Sequence, residues 1–137
     1  MVTAARLRWL AIALPGLSAA AFGCGGDVAE EGIALHIGDY RVHFLAQTET
    51  LPVNSGFEAA VSVCADSGEP FSGKLTFDAG MPGHGHGMNY LPQVEMLAPG
   101  RFRVAGVLLH MPGQWEFRFG LVDDDGAAHG RILVQVP

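Results

Sequence analysis

From Ile33 onward the chain alternates apolar and polar residues almost without interruption, and the breaks fall at Gly, Pro, Asn and Asp. A period of two sends successive side chains to opposite faces of an extended backbone, so the pattern predicts strands and no helix. ALHIGDYRVHFL reads as two short strands around a Gly38-Asp39 turn, with Tyr40, Val42 and Phe44 on one face and Arg41 and His43 on the other. LPVNSG is a turn cluster. FEAAVSVCAD then points Phe57, Ala59, Val61 and Val63 inward and Glu58, Ser62 and Cys64 to the opposite face.

After the break DSGEPFSG, KLTFDA resumes the pattern with Leu75 and Phe77 inward. YLPQVEMLAPG is extended and ends in a Pro99-Gly100 turn, and RFRVAGVLLH is a further strand. QWEFRFGLV sets Trp115, Phe117, Phe119 and Leu121 against Glu116 and Arg118; DDDGAAHG is a hairpin loop, and RILVQV closes the chain. Seven or eight short strands with frequent turn signals predict an all-β fold, an immunoglobulin-like antiparallel β-sandwich over residues 33–137. Trp115, Phe77, Phe57 and Val61 are the expected core, since a large indole in such an alternation packs inside.

The beginning of the chain follows another rule. Arg6 and Arg8 precede an apolar run from Trp9 to Ala21 that Pro15 and Gly16 interrupt, and small residues lead to Cys24. That layout predicts a secretory signal over residues 1–23, too short and too broken to span a membrane. AFGC resembles a lipobox, with Ala21 in place of the usual Leu and a bulky Phe22. On that reading Cys24 is lipidated, and the chain is anchored in a bacterial cell envelope, periplasmic or surface-facing, touching the membrane through the lipid alone. The alternative is ordinary cleavage, which frees Cys24 to bridge to Cys64. Residues 24–32, small and acidic, read as a flexible tether.

The charge narrows the partners. The chain carries 14 acidic and 8 basic residues, and removing Arg6 and Arg8 with the signal leaves 14 against 6, a formal −8. With no cluster of Lys or Arg, a nucleic-acid partner is not expected. No HExxH, nucleophile elbow or phosphate-cradling loop is present, and DDDG at 123–126 lacks the remainder of a calcium loop, so an enzyme is not expected.

One stretch departs from ordinary loop chemistry. GMPGHGHGMNY, residues 80–90, holds two histidines and two methionines among its glycines. A loop that only turns has no need of Met81, His84, His86 or Met88. Met-Pro-Gly recurs at 111–113, preceded by His110, and strands running the same way would deliver both loops to one end of a sandwich. His84, His86 and Met88, joined by Met81, His110 or Met111, form the candidate metal site. Imidazole and thioether are neutral, soft or borderline donors that suit copper, above all Cu(I), over magnesium or calcium. In a straight strand these side chains would stand roughly 6.5–7 Å apart, so the segment must curl to converge, and Gly83, Gly85 and Gly87 permit that. A zinc site of His84, His86 and His110 is the weaker alternative, with Glu95 or Glu116 as the base it would need. His36, His43 and His129 are expected in solvent.

Those two segments, GMPGHGHGM and GRFRVAGVLLHMPGQWEFRF, resemble the YtkA-like domain family, exported bacterial proteins related to the FixH group. The resemblance covers roughly residues 35–136 and implies an immunoglobulin-like sandwich suspected of copper handling or of helping to assemble copper-containing respiratory enzymes. It touches Met81, His84, His86, Met88, His110, Met111 and Trp115. The FixH group carries a membrane helix, where this chain is expected to have only a leader with a lipobox. Two function classes follow: a copper-binding protein that passes its ion to a copper enzyme, and a metal-free adaptor whose Met and His side chains contact a partner protein.

Overall fold

A computed structural model describes residues 23–137. The expected signal, apart from Gly23, lies outside the described residues. Among them nine strands form: β1 (Ile33–Ile37), β2 (Tyr40–Ala46), β3 (Phe57–Ala65), β4 (Lys74–Met81), β5 (His86–Gly87), β6 (Gln93–Ala98), β7 (Arg101–Val107), β8 (Gly113–Asp123) and β9 (Gly126–Val136). They make a five-stranded sheet, β1-β2-β3-β7-β6, and a four-stranded sheet, β5-β4-β8-β9. Every ladder between named strands is antiparallel. This is the expected β-sandwich, with nine strands where the alternation showed seven or eight. The two-residue β5 is too short to give a periodicity signal.

Burial follows the alternation. Trp115, Phe117, Phe119 and Leu121 of β8 are buried, while Gln114, Arg118 and Val122 face out. Phe44 from one sheet meets Phe77, Phe117 and Phe119 of the other at ring separations of 5.2, 5.1 and 6.1 Å. Inward rows from two stacked sheets must interdigitate to exclude water, and here aromatic rings from both sheets meet at the centre. Phe57, Val61, Phe77 and Trp115 all lie in this core, as expected.

The stretch before β1 departs from its reading as a tether. Residues Gly26–Glu31 form a short helix, α1, lying against β2 and β3 with Val28 buried. Six residues are too few to hold a helix in water, so α1 depends on what fastens it. Cys24 and Cys64 form a disulfide with Cα atoms 5.8 Å apart, and Arg101 lies 3.7 Å from Asp27. The bridge uses the sulfur that a lipid thioether would need. In this structure the cysteine pair takes its alternative reading, a bridge from Cys24 to Cys64.

The same clasp explains β3. Ser62 and Cys64 point away from the core, as expected, yet both are buried because α1 and its preceding turn cover that face. Ser62 Oγ stands 3.5 Å from His43 Nδ1, and His43 is half-buried, not solvated as expected. Burial, then the nearby Arg41 and His36, lowers its pKa below the ordinary imidazole value. Among the described residues no helix is long and apolar enough to cross a membrane.

Candidate metal centre

The register between β4 and β8 decides where the two Met-Pro-Gly loops go. Gly80 pairs with Glu116, so the end of β4 lies beside the start of β8. One loop leaves β4 and the other enters β8, and both therefore sit at the same end of the sandwich.

The first loop is a tight hairpin. The His84 amide donates to the Met81 carbonyl at 3.2 Å, Gly85 takes a left-handed φ of 63°, and His86 returns opposite Met81 as β5. Of the three loop glycines expected to supply a curl, only Gly85 has a positive φ. Side chains have open space over Gly83 and Gly85, where an added Cβ would meet nothing within 4 Å. The Met88 amide donates to the Ala79 carbonyl at 3.2 Å, which carries the returning chain one residue beyond β5.

The second loop is fastened from both sides of His110. Leu109 is fully buried, forms an isolated bridge with Val53, and its carbonyl accepts the Asn54 amide at 2.8 Å. The Trp115 Nε1–H donates to the Met111 carbonyl at 3.0 Å. The His110 ring stands edge-on to the indole, 5.2 Å between centroids at an interplanar angle of 86°.

The loops meet through imidazoles. His86 and His110 have ring centroids 6.0 Å apart at 88°, and His84 and His86 are stacked at 6.2 Å and 25°. An imidazole nitrogen about 2.0 Å from an ion puts its ring centre roughly 3.2 Å away, so two rings on one ion stand about 5–6 Å apart. The His86–His110 separation stands at the upper end of that range, and the His84–His86 separation lies 0.2 Å beyond 6 Å. The six candidates do not stand alike. His84 and His86 are exposed; His110, Met88 and Met111 are half-buried. Met81 is 3% exposed and lies in the core, its Cε so near Gly113 that a Cβ there would come within 2.9 Å. That contact joins the two Met-Pro-Gly segments directly.

Among the described residues, no three or more His, Cys, Asp or Glu side chains are grouped closely enough to hold a metal ion as they stand. Thioethers lie outside that donor set. The nearest carboxylate at this end is engaged: Glu116 lies 3.2 Å from Arg131 and 4.0 Å from Arg118, and Arg118 is 3.3 Å from Asp78. Glu116 and Arg118 share with Met81 and His86 a cavity of about 240 Å³. The donors facing the loop are thus imidazoles and thioethers beside the ion-paired Glu116 and Arg118.

His36 and His129 are exposed, as expected, and His36 lies 3.6 Å from Asp66. Sequence reasoning did not find the Asn54 and Trp115 hydrogen bonds that hold the second loop, nor Arg118 beside the first. Asn54, in its LPVNSG turn, carried only a turn signal.

No protein-family model matches the chain, and no curated protein matches it. Among solved structures the chain is similar to a copper-bound variant of FetP from uropathogenic Escherichia coli strain F11. The two share 8% identity with a TM-score of 0.47, over 77% of this chain and 94% of that one. A likeness so distant bears on no residue of the site.

Proposed function

We propose that this is an exported copper-binding protein that holds one Cu(I) between its two Met-Pro-Gly loops and passes it to another protein, such as a copper-containing respiratory enzyme. His84, His86 and His110 are the nitrogen donors, and Met88 or Met111 supplies a thioether. Met81, enclosed in the core, serves as the floor. The observation that carries the reading is the approach of His86 and His110, from separate loops, to 6.0 Å. Neutral donors suit an exported site, because thioethers do not ionise and resist the oxidation that disables exposed thiolates. The exposed side of the loop leaves a face from which a recipient protein could take the ion. Zinc on the three imidazoles is the lesser form of the same reading.

The deciding experiment is competition for Cu(I) against a chromogenic chelator, using the untagged chain and the His84→Ala/His86→Ala double variant. Tight binding by the first and its loss in the second support the site. Equal binding by both, or none by either, rejects it. The adaptor reading has its own observation: Leu91, Leu97, Leu133 and Tyr90 are exposed at 72, 62, 54 and 47%. It stands if the chain takes no metal.

A further inference from the structure

We infer that Trp115 is a positioning residue for His110, so that the core of the sandwich presets one donor of the metal site. This inference rests on the copper reading above and adds a part that no ligand list contains. His110 sits between two fixed carbonyls, that of Leu109 held by the Asn54 amide at 2.8 Å and that of Met111 held by Trp115 Nε1 at 3.0 Å. The first anchor is backbone to backbone. The second depends on a side chain, and that side chain is fully buried at the start of β8.

The indole does two things at once. Its N–H fixes the peptide that follows His110, and its ring flanks the imidazole at 5.2 Å, limiting the rotamers the imidazole can take. A buried indole N–H needs an acceptor, and here the acceptor belongs to the loop that carries the donor histidine. His84 and His86, by contrast, are exposed on a hairpin with open space about Gly83 and Gly85. The site therefore has a held side, His110, and an open side, His84 and His86. Capture of an ion then consists of the hairpin closing onto a histidine already in place, which lowers the ordering cost of binding.

The test is Trp115→Phe in the full chain, which keeps an aromatic core residue and deletes the N–H. Two quantities are read: Cu(I) affinity by chelator competition, and the His110 imidazole Cε1–Hε1 resonance of the metal-free protein by NMR. Loss of a group that orients a ligand weakens metal binding about 10–100-fold, and we expect the low end, about tenfold. The His110 resonance should move toward the positions of the exposed histidines. Phe77→Leu, a core change away from both loops, separates positioning from general loosening and should leave affinity within about twofold. If Trp115→Phe does not fold, benzothienylalanine at position 115 keeps the bicyclic shape and still lacks the N–H.

The inference is overturned if the N–H-deficient variant binds Cu(I) as tightly as the parent, or if Phe77→Leu weakens binding equally. It is also overturned if the His110 resonance stays in place. A parent chain that takes no copper, with its His110 resonance still dependent on Trp115, would instead defeat the metal reading on which this inference stands.

Discussion

The two ends of the sandwich carry opposite chemistries. At one end the loops after β4 and before β8 gather imidazoles and thioethers that do not satisfy one another. At the other, Asp39, Asp66, Asp123 and Asp125 line a shallow depression with Tyr40, and two of them, Asp66 and Asp123, have partners there. Asp123 accepts the Tyr40 hydroxyl at 3.3 Å and the amides of Asp125 and Gly126 at 2.9 and 3.1 Å. Asp66 lies 3.3 Å from Arg41. Asp66 is spent on an ion pair and Asp123 on closing a hairpin. The imidazoles at the far end have rings near rings and no such partners. A group of side chains that leaves its own bonding capacity open is the better candidate for a ligand, and residue count alone would have favoured the acidic end.

The comparison is broken most severely at the histidine end. Replacing His84 and His86 together with Ala is expected to lower Cu(I) affinity at least about a hundredfold, because it leaves a single imidazole and thioethers. Asp123→Asn/Asp125→Asn at the opposite end is expected to leave that affinity within about twofold, since nothing there touches the loops. Chelator competition reads both. A reversed ranking would place the cation at the wrong end of this account.

The clasp makes the next largest prediction. Removing a bridge whose cysteines are 40 residues apart should cost about 2–4 kcal/mol by loop closure, read in denaturant unfolding of Cys24→Ser/Cys64→Ser. Metal affinity should not follow, because the bridge is fastened to β3 and not to either loop.

A smaller effect comes from His43. Its folded-state pKa lies below the unfolded value of about 6.5. As pH falls through that value the unfolded chain takes up a proton that the folded chain refuses, so stability decreases on acidification until the lowered folded value is passed. Unfolding midpoints between pH 7 and pH 5 should fall in the parent and fall less in His43→Gln. Tyr40→Phe should change stability least, by about 0.5 kcal/mol or less, because its bond to Asp123 is long and only part-buried.

How much of this was legible in the sequence differs between the same regions. β8 announces itself, since Trp115, Phe117, Phe119 and Leu121 alternate with polar residues, and one buried face is all that alternation needs to record. The repeated Met-Pro-Gly allowed the two loops to share an end only if the strands before them run the same way, and alternation does not record strand direction. The clasp was not legible. Alternation in β3 says that Ser62 and Cys64 point away from the core, but whether another segment covers them depends on residues far off in sequence. The acidic, glycine-rich stretch before β1 has the composition of a linker, and only the bridge at Cys64 gives its helix somewhere to rest. In the same way, no local pattern reveals that Trp115 spends its N–H on the Met111 carbonyl.

The most direct measurement is X-ray absorption at the copper edge on the untagged chain loaded with Cu(I). The account predicts one copper per chain, with two or three imidazole nitrogens at about 2.0 Å and at least one sulfur neighbour. A chain that retains no copper after desalting, or copper surrounded by oxygen alone, would contradict it.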